Sequence, residues 1–109
     1  MKTKVYIASP YTVGDQAHNV RRQMDCFDEL LNLGFIPFAP LFTHFQHLVH
    51  PADYEVWMNW DFEWVKCCDV LLRLSGESPG ADREVELAQN EGMLVFYSIE
   101  DLVTHFKSI

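Results

Sequence analysis

The sequence predicts an α/β fold, a flavodoxin- or Rossmann-like parallel sheet of four to five strands with helices on both faces. Three observations lead there. The runs Val5-Tyr6-Ile7-Ala8, Ile36-Pro37-Phe38-Ala39, Val70-Leu71-Leu72-Arg73-Leu74 and Met93-Leu94-Val95-Phe96-Tyr97 are short and continuously apolar, as strands covered on both faces are. Segments with helical spacing separate them. The 109 residues suit one domain, 1–109, and an apolar fraction of 49% supplies its core. Right-handed crossovers then predict the strand order 2-1-3-4.

The elements follow in chain order. The first strand stops at Ser9-Pro10, and Thr12-Val13-Gly14-Asp15 reads as a turn into a helix. From Asp15 to about Leu33, Ala17, Val20, Met24, Phe27 and Leu31 recur at helical spacing and form the expected inner face, with Gly34 as the stop. Pro37 places the second strand at a sheet edge. A loop or short helix through His44, His47 and His50 comes next, then a main helix from Tyr54 to Cys68. After the third strand, Ser75 to Gly80 is a polar loop, Ala81 to Glu91 a third helix ended by Gly92, and a short helix from about Glu100 closes the chain. Sheets of this kind bind ligands at the carboxyl ends of their strands. Function is therefore expected in the loops that begin at Ser9, Leu41, Ser75 and Ser98.

Composition excludes several roles. A formal net charge of -8 argues against a nucleic-acid polymer, whose phosphates attract clustered Lys and Arg, but not against a single nucleotide held by a few backbone N–H groups. The three cysteines, Cys26, Cys67 and Cys68, are odd in number and form no CxxC pair, which fits reduced thiols in a cytoplasmic protein. The apolar run near the N-terminus is too short for a signal peptide or a membrane span. Eight Phe, four Tyr and three Trp exceed what a small core needs, so some are expected at a binding site or in a homodimer or higher homo-oligomer.

Two carboxylates stand out. On the helix from Tyr54, a period of 3.6 residues puts Trp57, Trp60, Trp64, Val65 and Cys68 on one stripe and Asn59, Glu63 and Lys66 opposite. Asp61 falls inside the aromatic stripe, where a carboxylate is costly unless paired or facing a ligand. The competing reading is an Asp that caps backbone or sits at the rim. On the next helix, Ala81, Val85 and Ala88 form the apolar face, Glu84 lies on its flank, and Glu86 and Asn90 point outward with Arg83. Glu84 is expected in the first turn, where the helix dipole favours an anion suited to nucleophilic attack. Ordinary dipole complementation explains it equally well.

At these residues the sequence resembles the nucleoside 2-deoxyribosyltransferase superfamily, including its nucleoside-monophosphate glycosidase branch. Val5-Tyr6-Ile7-Ala8-Ser9-Pro10-Tyr11 looks like the family's first strand and substrate loop. The segment from Asp61 to Val70 matches the spacing of a sugar-site Asp, eight residues, then the Asp that opens the next strand. Ser78-Pro79-Gly80-Ala81-Asp82-Arg83-Glu84 matches Ser-x-Gly-x-x-x-Glu. The resemblance implies that Glu84 is the nucleophile, that Asp61 holds sugar hydroxyls or helps protonate the base, and that the Tyr6 hydroxyl positions Glu84; a plain core aromatic is the other reading of Tyr6. It implies substrate contacts from Ser9, Pro10, Tyr11, Ser78 and Gly80, and Ser78 tilts the reading toward hydrolysis. The loop Pro10-Tyr11-Thr12-Val13-Gly14 departs from the Gly- and Arg-containing loop of the monophosphate branch.

The chemistry so implied is cleavage or transfer of the N-glycosidic bond of a nucleoside or nucleoside monophosphate, with no metal or other cofactor. His44, His47 and His50 are spaced by three, a poor arrangement for zinc on a helix, although His44 borders the expected cleft and is placed to reach the nucleobase. Two other roles remain open: a catalytically silent nucleotide-binding or sensor domain on the same fold, and a partner domain with the Trp57, Trp60 and Trp64 stripe as its interface.

Overall fold

The computed structural model describes residues 2–107. Four parallel strands, β1 (Lys4–Ala8), β2 (Ile36–Phe38), β3 (Val70–Arg73) and β4 (Leu94–Phe96), form one sheet in the order β2-β1-β3-β4. Val5 lies between Pro37 on one side and Val70 on the other, and Leu71 is opposite Val95. Pro37 does fall on an edge strand, where its missing N–H interrupts no second ladder.

The alternation of β1 separates two cores. Val5 and Ile7 pack with Cys26 and Leu30 of α1 (Gln16–Asn32) and Leu102 of α5 (Ile99–Lys107). Tyr6 and Ala8 pack the other way, with Val65 of α3 (Tyr54–Cys67) and with Ala81 and Ala88 of α4 (Pro79–Asn90). Between β2 and α3 the chain makes a short 3-10 turn, Pro40–Thr43, and the helix α2 (His44–Val49). Among the described residues, no helix is long and apolar enough to cross a membrane.

Three faces or boundaries differ from the sequence expectation. The buried face of α1 is Asn19, Gln23, Cys26 and Leu30, one position round from the predicted stripe, and Leu31 is half exposed. Met24 and Phe27 of the predicted stripe do pack on this core, partly buried, but counting apolar residues misplaced the centre of the face because two of the inner positions are polar. On α3 the buried residues are Met58 and Val65, while Trp60 and Trp64 stay 37% and 41% exposed and lean on Phe38, with Trp64 stacked on it at 4.8 Å. Helix α4 begins at Pro79, not Ala81: Ser78 caps it by accepting from the Ala81 N–H at 3.0 Å, and Pro79 takes the first position, where its absent N–H costs nothing.

Candidate active site

Tyr6, in the middle of β1, points with Ala8 into the α3–α4 layer and is completely buried. Its hydroxyl donates a hydrogen bond to Oε2 of Glu84 on α4. Asp61 of α3 shares a hydrogen bond with the same Glu84 carboxyl. The close approach of α3 and α4 permits this. A Cβ added at Gly80 would meet the Tyr54 hydroxyl at 3.2 Å and the Met58 sulfur at 3.4 Å. Tyr6, Asp61 and Glu84, far apart in sequence, thus form one cluster, and both carboxyls line a cleft of about 640 Å³.

The electrostatics overturn one expectation. Glu84 lies a turn inside α4, at the centre of its buried face with Ala81 and Ala88 rather than on the flank or in the first turn. The acid of the first turn is Asp82, which pairs with Arg73 at 3.0 Å. The helix N-terminus therefore does not hold Glu84 ionised. Burial pushes the Glu84 carboxyl well above the ordinary range, the nearby Asp61 charge adds to this, and the Tyr6 hydroxyl opposes it. Burial likewise pushes Asp61 up to about 6, against the hydrogen bond from Glu84. Two buried carboxyls in contact do not both ionise readily, so the pair holds one proton between them over a range reaching toward neutral pH. Burial, then the Glu84 charge, keeps the Tyr6 hydroxyl protonated and hence a donor.

The cleft opens at the carboxyl ends of β1, β2 and β3, as the fold class predicts. Of the expected contact residues, Ser9, Tyr11, Ser78 and Gly80 line it. Pro10 and His44 do not. Pro10 is buried against Gly76, whose φ of +119° and lack of a Cβ let the two loops touch: a Cβ there would sit 2.9 Å from the proline ring. His44 bonds through Nδ1 to the Tyr11 hydroxyl at 2.6 Å, so it supports a wall residue from outside. The loop that begins at Ser98 contributes nothing to the lining.

Several site residues escaped the sequence reading. His47 lines the cleft in place of His44, and its Nδ1 accepts from the Trp57 indole N–H at 2.8 Å and the Ala52 N–H at 3.3 Å. Tyr54, Trp57 and Met58 form the opposing wall. The two inner polar residues of α1 hold the loops. Asn19 donates to the carbonyls of Tyr11 and Val13 at 3.1 and 2.9 Å. Gln23, with no exposed surface, donates to the Ile7 carbonyl at 3.3 Å and Ser9 Oγ at 2.7 Å, and accepts from the Leu41 N–H at 2.8 Å. One amide thereby ties the ends of β1 and β2 together. Gln23→Ala strands those groups and leaves a void, so it is expected to lower unfolding stability by roughly 2–4 kcal/mol. Urea denaturation checks this, and a loss below about 1 kcal/mol would mean water replaces the amide at little cost.

Among the described residues, no three His, Cys, Asp or Glu side chains converge to hold a metal ion. A family model described as a domain of unknown function (DUF7768) matches residues 3–98, which include Tyr6, Asp61, Glu84 and all four strands. No curated protein matches the chain.

Proposed function

The chain belongs to the DUF7768 family, and we propose that it is an enzyme that cleaves or transfers the N-glycosidic bond of a nucleoside or nucleoside monophosphate, with Glu84 as nucleophile. The observation that carries this reading is the contact of Asp61 with Glu84, and of the Tyr6 hydroxyl with Glu84, in the wall of a cleft. A carboxyl pair sharing one proton contains both an anion and an acid, the two groups that glycosidic cleavage needs. The volume of about 640 Å³ suits a small organic molecule. Tyr11, Tyr54 and Trp57 offer faces on which a nucleobase stacks.

At rest the shared proton sits on Glu84, which donates to Asp61. Passing it along that hydrogen bond to Asp61 leaves a Glu84 carboxylate, whose oxygen bonds to the anomeric carbon as the C–N bond breaks. The electron pair of that bond leaves with the base, which takes the proton held by Asp61. Tyr6 hydrogen-bonds Glu84 and fixes the direction of its attacking carboxyl. Water then attacks the glycosyl ester, Asp61 takes its proton, and the sugar departs with Glu84 regenerated; a second base in place of water gives transfer. No cofactor enters this scheme, and we take the protein to be cytoplasmic, a compartment to which the free thiols of Cys26, Cys67 and Cys68 are suited.

Incubation with a panel of nucleosides and nucleotides, with chromatography of the free base, tests the reading. Base release is expected. Binding without release would favour a catalytically silent nucleotide-binding domain.

The reading extends to a homodimer or higher homo-oligomer. Phe42, Phe45, Leu48 and Val49, on the 3-10 turn and α2, are 55–73% exposed, an apolar surface beside the cleft that a second copy would cover. Sedimentation is expected to show an oligomer at micromolar concentration; a monomer at the highest soluble concentration would remove this part of the proposal.

A further inference from the structure

The chain carries eight Lys and Arg, and among the described residues none of them lines the cleft. Three acidic side chains do, Asp53, Asp61 and Glu84, and with one proton shared by the last two the lining still carries net negative charge. The arginines nearest the carboxyl end of the sheet are already engaged. Arg22 donates to the Ser75 carbonyl at 2.7 Å and to its Oγ at 3.1 Å. Arg73, at the end of β3, donates to the carbonyls of Leu74 and Gly76 and pairs with Asp82. Arg83 lies behind the wall, over the Tyr54 ring at 5.6 Å, with both guanidinium nitrogens on the Glu55 carboxylate at 2.6 and 3.1 Å. Lys4 opens β1, at the end of the strand away from the cleft, and Lys66 pairs with Glu63 on α3.

The helix start that borders the cleft offers an anion little. In α4, Pro79 has no N–H, the Ala81 N–H is taken by Ser78 Oγ at 3.0 Å, and the Asp82 N–H by the Ser78 carbonyl at 3.0 Å. Only the Gly80 N–H is left of the first groups, and Asp82 adds a negative charge beside it. A phosphate carries about −1.5 to −2 charges at neutral pH, and its usual partners are guanidinium groups and free helix N–H groups. The cleft has neither in supply.

From this charge arrangement, and resting on the glycosidic reading above, we infer that the substrate is an unphosphorylated nucleoside, and that a 5′-phosphate excludes a ligand from this cleft. The aromatic rings of Tyr11, Tyr54 and Trp57 surround a negative interior, which accepts a neutral base or one carrying positive charge and repels a phosphate dianion.

The test pairs each of the common nucleosides and 2′-deoxynucleosides with its own 5′-monophosphate. Base release is read as kcat/KM, and binding is read by calorimetry on the wild-type chain. The nucleoside is expected to exceed its monophosphate by at least roughly tenfold in either readout, a difference of about 1.4 kcal/mol. Raising salt from 20 to 500 mM is expected to narrow the gap, since screening weakens repulsion. Asp53→Asn, which removes one wall charge at a helix start where the Asp side chain makes no capping bond, is expected to narrow it as well. A monophosphate that binds or reacts as well as its nucleoside, or better, overturns the inference whatever the fate of the glycosidic reading. If no pair releases base, the glycosidic reading fails while the binding data still decide the charge rule, and failure of every pair to bind overturns both.

Discussion

Glu84→Ala lowers base release by roughly 10⁴–10⁶-fold, the range reached when a reacting group is removed from a preorganised site, and leaves the fold intact. The carboxyl lies 4% exposed on α4 with the Tyr6 hydroxyl on one oxygen, and its neighbour Asp61 serves in the proposed scheme as the proton donor, not as a second nucleophile. The fold survives because the site is already costly: desolvation and the neighbouring carboxyl both disfavour the Glu84 anion. Glu84→Gln keeps the shape and lets the amide donate to Asp61, so it is expected to be at least as stable as wild type and equally inactive. Glu86→Ala, two positions on and exposed to solvent, changes neither rate nor stability appreciably. The decisive comparison is base release by the three variants at matched thermal midpoints. Turnover by Glu84→Ala at the wild-type rate would remove Glu84 from the mechanism.

Asp61→Asn slows base release by about two orders of magnitude or more, as loss of a positioned proton donor does, and it also flattens the dependence of stability on pH. In the folded chain the Asp61 carboxyl is raised from 3.8 to about 6, chiefly by burial. A carboxyl raised on folding binds its proton more tightly in the folded than in the unfolded state. Its contribution to stability is therefore fully present below the unfolded value and is lost as pH rises through the folded one. Wild type is expected to lose roughly 1–3 kcal/mol of unfolding free energy from this pair between pH 5 and pH 7.5. Asp61→Asn removes the repulsion and the share of that slope carried by Asp61, while Glu84, raised first by burial, keeps its own. Urea midpoints at the two pH values read the effect directly, and a wild-type stability that rises over this interval by the same amount as the variant's would show that the pair is not raised in the folded state.

Much of the arrangement was legible in the residues. The continuous apolar runs placed all four strands, Pro37 placed an edge, and the right-handed crossover rule ordered the sheet as found. Asp61 stood out as a carboxylate inside an apolar stripe and Glu84 as one on the flank of such a face, and both line the cleft. Ser9, Tyr11, Ser78 and Gly80 came from the family resemblance and lie in the cleft, in loops that the strand ends had marked. What misled was local. A nominal loop up to Gly80 put Glu84 in a first turn, whereas Ser78 capping and Pro79 start the helix earlier and carry Glu84 into the core. The first-turn argument for an ionised Glu84 then gives way to burial, which acts in the opposite direction.

Pattern alone determined which segments are strands and helices, because the period of apolar residues follows from backbone geometry and needs no partner. Only the folded chain decided which polar residues lie inside. Gln23 and Asn19 were left out of the predicted inner face because their worth depends on carbonyls and N–H groups of Ile7, Tyr11, Val13 and Leu41, brought to them from other elements. The exclusion of Pro10 and His44 from the cleft, and the inclusion of His47, likewise depend on contacts with Gly76, Tyr11 and Trp57. Helical spacing put Asp61 within a stripe and Glu84 on a flank, but the approach of α3 to α4 over Gly80 brought them together. A buried polar group is stabilised by its specific partner rather than by its own transfer free energy, so its position becomes readable only when the chain has brought that partner within hydrogen-bond distance.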